Sequence, residues 1–71
     1  MKNNNAQNHM HGITGKIIAY SAAVNAGAIK TFNGQRYTFF QKEWLGDKPP
    51  ANNMMVMFQP SSSAALKVSA A

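Results

Sequence analysis

Few residues in this chain could carry out acid–base, nucleophilic or metal chemistry. Among 71 residues there are two acids, Glu43 and Asp47, two histidines and no cysteine. Paired-carboxylate catalysis and thiolate zinc sites therefore have too few groups to work with. His9 and His11 form an H-x-H pair, but a tight zinc site needs three or four ligands. The serines at 61–63 have no histidine within a plausible motif. We expect no enzyme activity, no metal site and no cofactor.

The basic residues offer binding chemistry instead. Seven Lys and Arg against two acids give a formal net charge of +5. An excess of this kind favours an anionic partner, although by itself it says nothing of a reaction. The cations are spread along the chain and form no basic arm. A phosphate-tracking surface and a merely solvated one are both open interpretations.

Short apolar segments separated by turn signals must position these residues. The pattern predicts five strands, at 16–20, 28–32, 35–40, 54–58 and 64–68. One helical turn is predicted at 41–46, where alternation breaks, before Pro49 and Pro50. We therefore predict an all-β fold, a small five-stranded antiparallel barrel with a short helical turn after the third strand.

The strongest local signal is Asn33-Gly34, between the second and third strands. This pair favours a two-residue hairpin turn with left-handed dihedrals. Alternation then predicts that Tyr37 and Phe39 face inward, while Arg36, Thr38 and Phe40 face outward.

Parity and aromatic character predict further core positions. Trp44 is expected to cap the barrel. In the fourth strand the residues alone leave open which parity faces inward, and the methionines of the inward parity are expected to fill the core. In the fifth, Leu66 and Val68 share a parity.

The domain organisation is simple. Residues 1–12 are polar and without periodicity, so we expect a flexible tail, followed by the barrel at 13–69 and a short end at 70–71. The tail has no apolar region of the kind found in secretory signals. The longest apolar run has five residues, at 54–58, which is far too short to span a membrane. We expect a cytoplasmic protein without a membrane partner.

Several of these segments together resemble the bacterial cold-shock domain, a five-stranded OB-type barrel that binds single-stranded nucleic acid. The resemblance covers about 15–68. The matching residues are Gly15-Lys16-Ile17 with Tyr20, Gly27 with Ile29, Tyr37 with Phe39, Val56 with Phe58, and Ala64-Ala65 with Val68. The form Gly34-Gln35-Arg36-Tyr37-Thr38-Phe39 followed by Trp44 resembles divergent cold-shock-like modules still more closely. The resemblance also implies that Val56 and Phe58 face inward in the fourth strand, leaving Met55 and Met57 outside.

The resemblance implies that the family's base-stacking face has lost most of its aromatic residues. The second-strand stacking positions fall on Ala26 and Ala28, and the first strand's exposed Trp falls on Ala19. Third-strand positions fall on Thr38, Phe40 and Gln41, and two family lysines fall on Ile18 and Asn25. Phe40 alone of the stacking set stays aromatic. Since stacking contributes roughly 1–3 kcal/mol per base, we expect weak binding or none.

The sequence therefore leaves two functional hypotheses open. In the first, the chain binds single-stranded DNA or RNA weakly, through Lys16, Tyr20, Lys30, Arg36, Phe40 and Lys42. In the second, an apolar patch contacts a protein partner or a second copy of the chain, through Ile18, Ala19, Ala26, Ala28 and Phe40. A minimal domain without a function of its own is a third reading.

Overall fold

The computed structural model describes residues 12–71, which form five strands and one 3-10 turn at Gln41–Glu43. The strands are β1 (Ile13–Ser21), β2 (Ala26–Thr31), β3 (Arg36–Phe40), β4 (Met55–Ser61) and β5 (Ala64–Ala70). All five predicted strands and the turn after the third are present. Their ends move by up to three residues, most of all at the start of β1 and the end of β4. The predicted tail at 1–12 lies outside the described residues except for Gly12.

The strands close into a barrel in the order β1-β2-β3-β5-β4, with β4 pairing back onto β1. This closed five-stranded ring is consistent with an OB-like fold. The expectation of a fully antiparallel sheet is wrong at one place, because β3 and β5 are parallel where Thr38 pairs with Ala64. Ring geometry requires this, since strand directions cannot alternate all the way round an odd number of strands.

Seven side chains fill the interior. They are all buried and come from every strand, namely Ile17, Ile29, Phe39, Val56, Phe58, Ala65 and Val68. Simple alternation on β3 and β4 places Phe39, Val56 and Phe58 inside and leaves Met55 and Met57 outside, as predicted.

Two aromatic side chains extend this core at its margins. Tyr37 is half-buried, with its ring centroid 4.9 Å from that of Phe58. Trp44 packs against Phe39 at 6.3 Å and donates from its indole nitrogen to the carbonyl oxygen of Lys48 at 2.7 Å. The predicted positions of both rings are confirmed.

Two β-bulges change which residues face the core. On β1, Ile17 pairs with Ile29 and Ala19 pairs with Ala28, so Ile18 is an extra residue. On β5 the extra residue falls at Lys67, which has a φ of +50°.

The β5 bulge overturns the predicted parity of that strand, because Ala65 and Val68 are buried and Leu66 is not. The backbone N–H of Lys67 donates to Glu43 Oε1 at 3.0 Å. One of the two acids of the chain is therefore used to hold a bulge in place.

The β2–β3 hairpin has a three-residue loop, not the two-residue turn expected from Asn33-Gly34. Gly34 N–H donates to the Thr31 carbonyl oxygen at 3.0 Å, and Thr31 N–H donates to the Gln35 carbonyl oxygen at 2.9 Å. Gly34 has a φ of +88°, whereas Asn33 is not left-handed. A three-residue loop needs a left-handed residue at its last position, which glycine supplies without strain. Phe32 consequently lies in the loop and not at the end of β2.

Gly27 on β2 is a close-approach position. A Cβ atom there would lie 2.6 Å from Phe39 Cε1 and 2.7 Å from the carbonyl oxygen of Ala19. We expect Gly27→Ala to destabilise the fold by about 1–3 kcal/mol, because a core ring or the β1 backbone must move. Urea unfolding followed by fluorescence of Trp44, which packs on Phe39, would measure this. The neighbouring half-buried Ala28→Ser is the matched control, and equal stability of the two variants would contradict the prediction.

Candidate functional site

The outward surface of β1, β2 and β3 carries most of the residues selected from the sequence. Strand register arranges its side chains in rows that cross the three strands. Lys16 lies opposite Lys30, and Lys30 lies opposite Arg36, so three cations form one row. We call Lys16, Lys30 and Arg36 the cation row. All three side chains are exposed.

The cation row is electrostatically unfavourable for the free protein. Directly opposed side chains on neighbouring strands have Cβ atoms about 4.5–5.5 Å apart, and like charges there repel. The two acids of the chain, Glu43 and Asp47, both lie after β3, and neither is on β1, β2 or β3. The row therefore draws no charge compensation from its own three strands. An anion bound along the row would relieve this repulsion.

Small side chains, together with Phe40, occupy the rest of the outer face. The next row holds Ala19, Ala28 and Thr38, and the last holds Ser21, Ala26 and Phe40. We call these two rows the alanine rows. Four of the five residues predicted as a contact patch therefore lie together in these two rows. Ile18 is the fifth, and it lies apart from them at the β1 bulge, close to Lys16 and Lys30.

Phe40 and Lys42 lie at the far end of β3 from the cation row. Phe40 is four residues from Arg36, or about 13 Å along an extended strand. Its ring is 49% exposed and borders a shallow hollow shared with Val24 and Lys42. Apart from Tyr20, the predicted nucleic-acid residues are thus divided between the two ends of the sheet, with Ala19 and Ala28 between them.

Tyr20 does not join the outer face. Its ring stacks on the buried Phe39, with centroids 5.9 Å apart, and its hydroxyl donates to Gln41 Oε1. The cause is the bulge at Ile18, which reverses the parity of the strand so that Ala19 points outward and Tyr20 inward. Without that extra residue, Lys16, Ile18 and Tyr20 would have shared a side.

One exposed aromatic residue, Phe32, is not among the site residues predicted from the sequence. Phe32 is fully exposed, with a relative accessibility of 103%, at the tip of the β2–β3 loop. It borders a cleft of about 440 Å³ that is also lined by Ile18, Met55, Lys16 and Lys30. The signal that could have found it is the Asn33-Gly34 pair read as the end of a three-residue loop, which removes Phe32 from the strand.

The described part of the chain was also compared with the predictions about metal ligands, membrane spans and the serines at 61–63. Residues 12–71 contain no cluster of three or more His, Cys, Asp or Glu side chains able to hold a metal ion. Over the same residues, no helix has the length and apolar character needed to cross a membrane. Ser61 ends β4, and Ser62 and Ser63 form the exposed turn to β5.

A scan against protein-family models finds no match for this sequence, and a search of the curated proteins finds none either. The strand order supports an OB-like barrel. The narrower resemblance to cold-shock-like modules stays a prediction.

The repulsion within the cation row can be measured. Lys30 has a cation directly opposite on both sides, so we expect Lys30→Gln to raise the free energy of unfolding by about 0.2–1 kcal/mol at low salt. The gain should shrink near 1 M salt, where the screening length falls to about 3 Å. Urea unfolding at both salt concentrations tests this. Lys48→Gln removes the same charge from the loop after β3, and an equal gain there would show that net charge, not the row, is responsible.

Proposed function

We propose that this chain is a non-catalytic, cytoplasmic module that binds single-stranded nucleic acid weakly and with little sequence preference through the outer face of β1, β2 and β3. The observation that carries the proposal is the cation row, in which three strands each present one cation at directly opposed positions. We also propose that the barrel is a divergent cold-shock-like module, an interpretation supported by its closed five-stranded order and by the resemblance of its sequence segments to that family.

The shape of the charge distribution favours a polyanion over a small anion. Neighbouring strands lie about 4.8 Å apart, so the cation row covers about 10 Å in a straight line across the sheet. The three cations lie along the open face and do not converge on one point. A chain of phosphates can follow such a line, and each neutralised phosphate releases counterions.

Exposed aromatic rings at both ends of the face favour single strands. Phe32 lies beside the cation row and Phe40 at the opposite end, and both rings are accessible. Unpaired bases can stack on such rings, whereas paired bases present their edges and backbone. Between the two rings the rows contain Ala19, Ala28 and Ala26, which offer no stacking surface. Affinity should therefore be low, with a Kd of about 1–100 µM.

A second candidate function is protein contact or self-association through the alanine rows. The observation in its favour is that two large apolar side chains are exposed here, Phe40 at 49% within the last row and Val24 at 68% beside it. Burial of Phe40 against a partner would remove this apolar surface from water. The two functions predict different results for Phe40→Ala. Loss of nucleic-acid affinity supports the first, and a change in sedimentation of the free protein supports the second.

The proposal is tested by anisotropy titration of labelled oligothymidine and oligouridine at several salt concentrations. We expect log K to fall with log salt with a slope near −2, because three phosphates contribute about 0.7 each on single strands. Lys30→Gln should weaken binding and reduce the slope by about 0.7. Lys48→Gln, which removes a charge outside the face, should change both much less. Absence of binding at roughly 100 µM protein in low salt would refute the proposed function.

A further inference from the structure

The cleft beside the β2–β3 loop combines apolar side chains with two cations. Phe32, Ile18 and Met55 supply the apolar lining, and Lys16 and Lys30 belong to the same cleft. Register explains the combination, because Lys16 pairs with Lys30 on one side and with Met55 on the other. The extra residue at the β1 bulge, Ile18, completes the lining.

We propose that this cleft holds one nucleobase of the bound strand, with the adjoining phosphates on Lys16 and Lys30. The inference rests on the proposed function and deepens it by assigning the place where a base is held. The cleft volume of about 440 Å³ lies within the range of about 300–1,000 Å³ typical of small-ligand sites.

The chemistry of the lining selects this occupant. A base is flat and apolar on its faces, so Phe32 can stack on it. The Met55 thioether is polarisable and makes favourable contacts with aromatic rings. Met55 is 49% exposed, so its side chain is available from outside the barrel. The phosphates on either side of the base complement the two ammonium groups, which a purely apolar occupant would leave unpaired.

This assignment also sets the path of the strand. A base between Phe32 and Met55 lies over the β1–β2 end of the cation row, next to β4. The nucleic acid then follows the row from Arg36 toward β4, and it does not need the alanine rows. Loss of stacking aromatics at Ala26 and Ala28 is therefore compatible with binding, because the base is held elsewhere.

The experiment compares an eight-nucleotide thymidine strand with the same strand made fully abasic, which keeps the phosphates and removes the bases. We expect the abasic strand to bind the wild-type protein about 5- to 150-fold more weakly, the range that stacking of one base implies. Phe32→Ala should lose a similar factor for the thymidine strand and should no longer distinguish the two strands. Because Phe32 is fully exposed, this variant should fold normally.

Matched variants separate this cleft from the rest of the surface. Met55→Gln should reduce the preference for the strand with bases, whereas Met57→Gln, which is also outward on β4 but outside the cleft, should keep it. A competition experiment with free thymidine monophosphate shows whether the site accepts a single nucleotide or requires a nucleic-acid strand. Displacement of the strand by millimolar monophosphate indicates a site for single nucleotides, and no displacement indicates a site that requires a strand. Either result supports a base site, provided that Phe32→Ala removes the preference for the strand with bases.

Three results would overturn the inference. Equal binding of the two strands by the wild-type protein would leave phosphate tracking intact and eliminate the base site. A preference that persists in Phe32→Ala but is lost in Phe40→Ala would place the base at the other end of the face. Absence of binding by either strand at low salt would remove the proposed function, and the base site with it.

Discussion

Hydrogen bonding along both edges of β1 closes the barrel, because Gly15 and Lys16 pair with β2 on one side and β4 on the other. The ring so formed is narrow. A Cβ atom at Gly15 would lie 2.6 Å from Ile29 Cγ2. This inward position therefore has room only for glycine unless Ile29 moves. The pleat then directs Lys16 outward between β2 and β4. The same closure that seals the core thus places a cation between Lys30 and Met55.

Much of the fold follows from local patterns, and the remainder depends on how the strands meet. Alternation suffices for β3, whose inward residues are those predicted, whereas the inward residues of β4 agree with what the resemblance implies. Simple alternation does not hold on β1 or β5, where one extra residue reverses parity. Neither bulge has a local signal, since Lys67 adopts its left-handed backbone without being glycine. The parallel β3–β5 pair follows from counting strands in a closed ring, but only once closure is known.

The candidate site shows the same division between local and global information. Lys16, Lys30 and Arg36 could be named from charge alone, but their alignment is a property of register and needs the folded sheet. The sequence wrongly selects Tyr20 because it does not reveal the bulge at Ile18. It misses Phe32 because Asn33-Gly34 favours a two-residue turn, although the same pair can end a three-residue loop. Since the outer residues of β1, β2 and β3 are not part of the core, their chemistry can change while the barrel is kept.

The parallel contact between β3 and β5 has a consequence for motion. Thr38 and Ala64 are the paired residues between these strands, supported by a hydrogen bond from Thr38 N–H to the Ser63 carbonyl oxygen at 2.8 Å. Other strand neighbours share at least four paired residues. Two further bonds tie the segment after β3 to β5, from Leu45 N–H to the Val68 carbonyl oxygen and from Lys67 N–H to Glu43. Because β3 and β5 themselves share the fewest paired residues of any neighbouring strands, we expect the barrel to open locally between them before it opens elsewhere. The barrel would open into a curved sheet in which β1, β2 and β3 stay together, with the cation row unbroken.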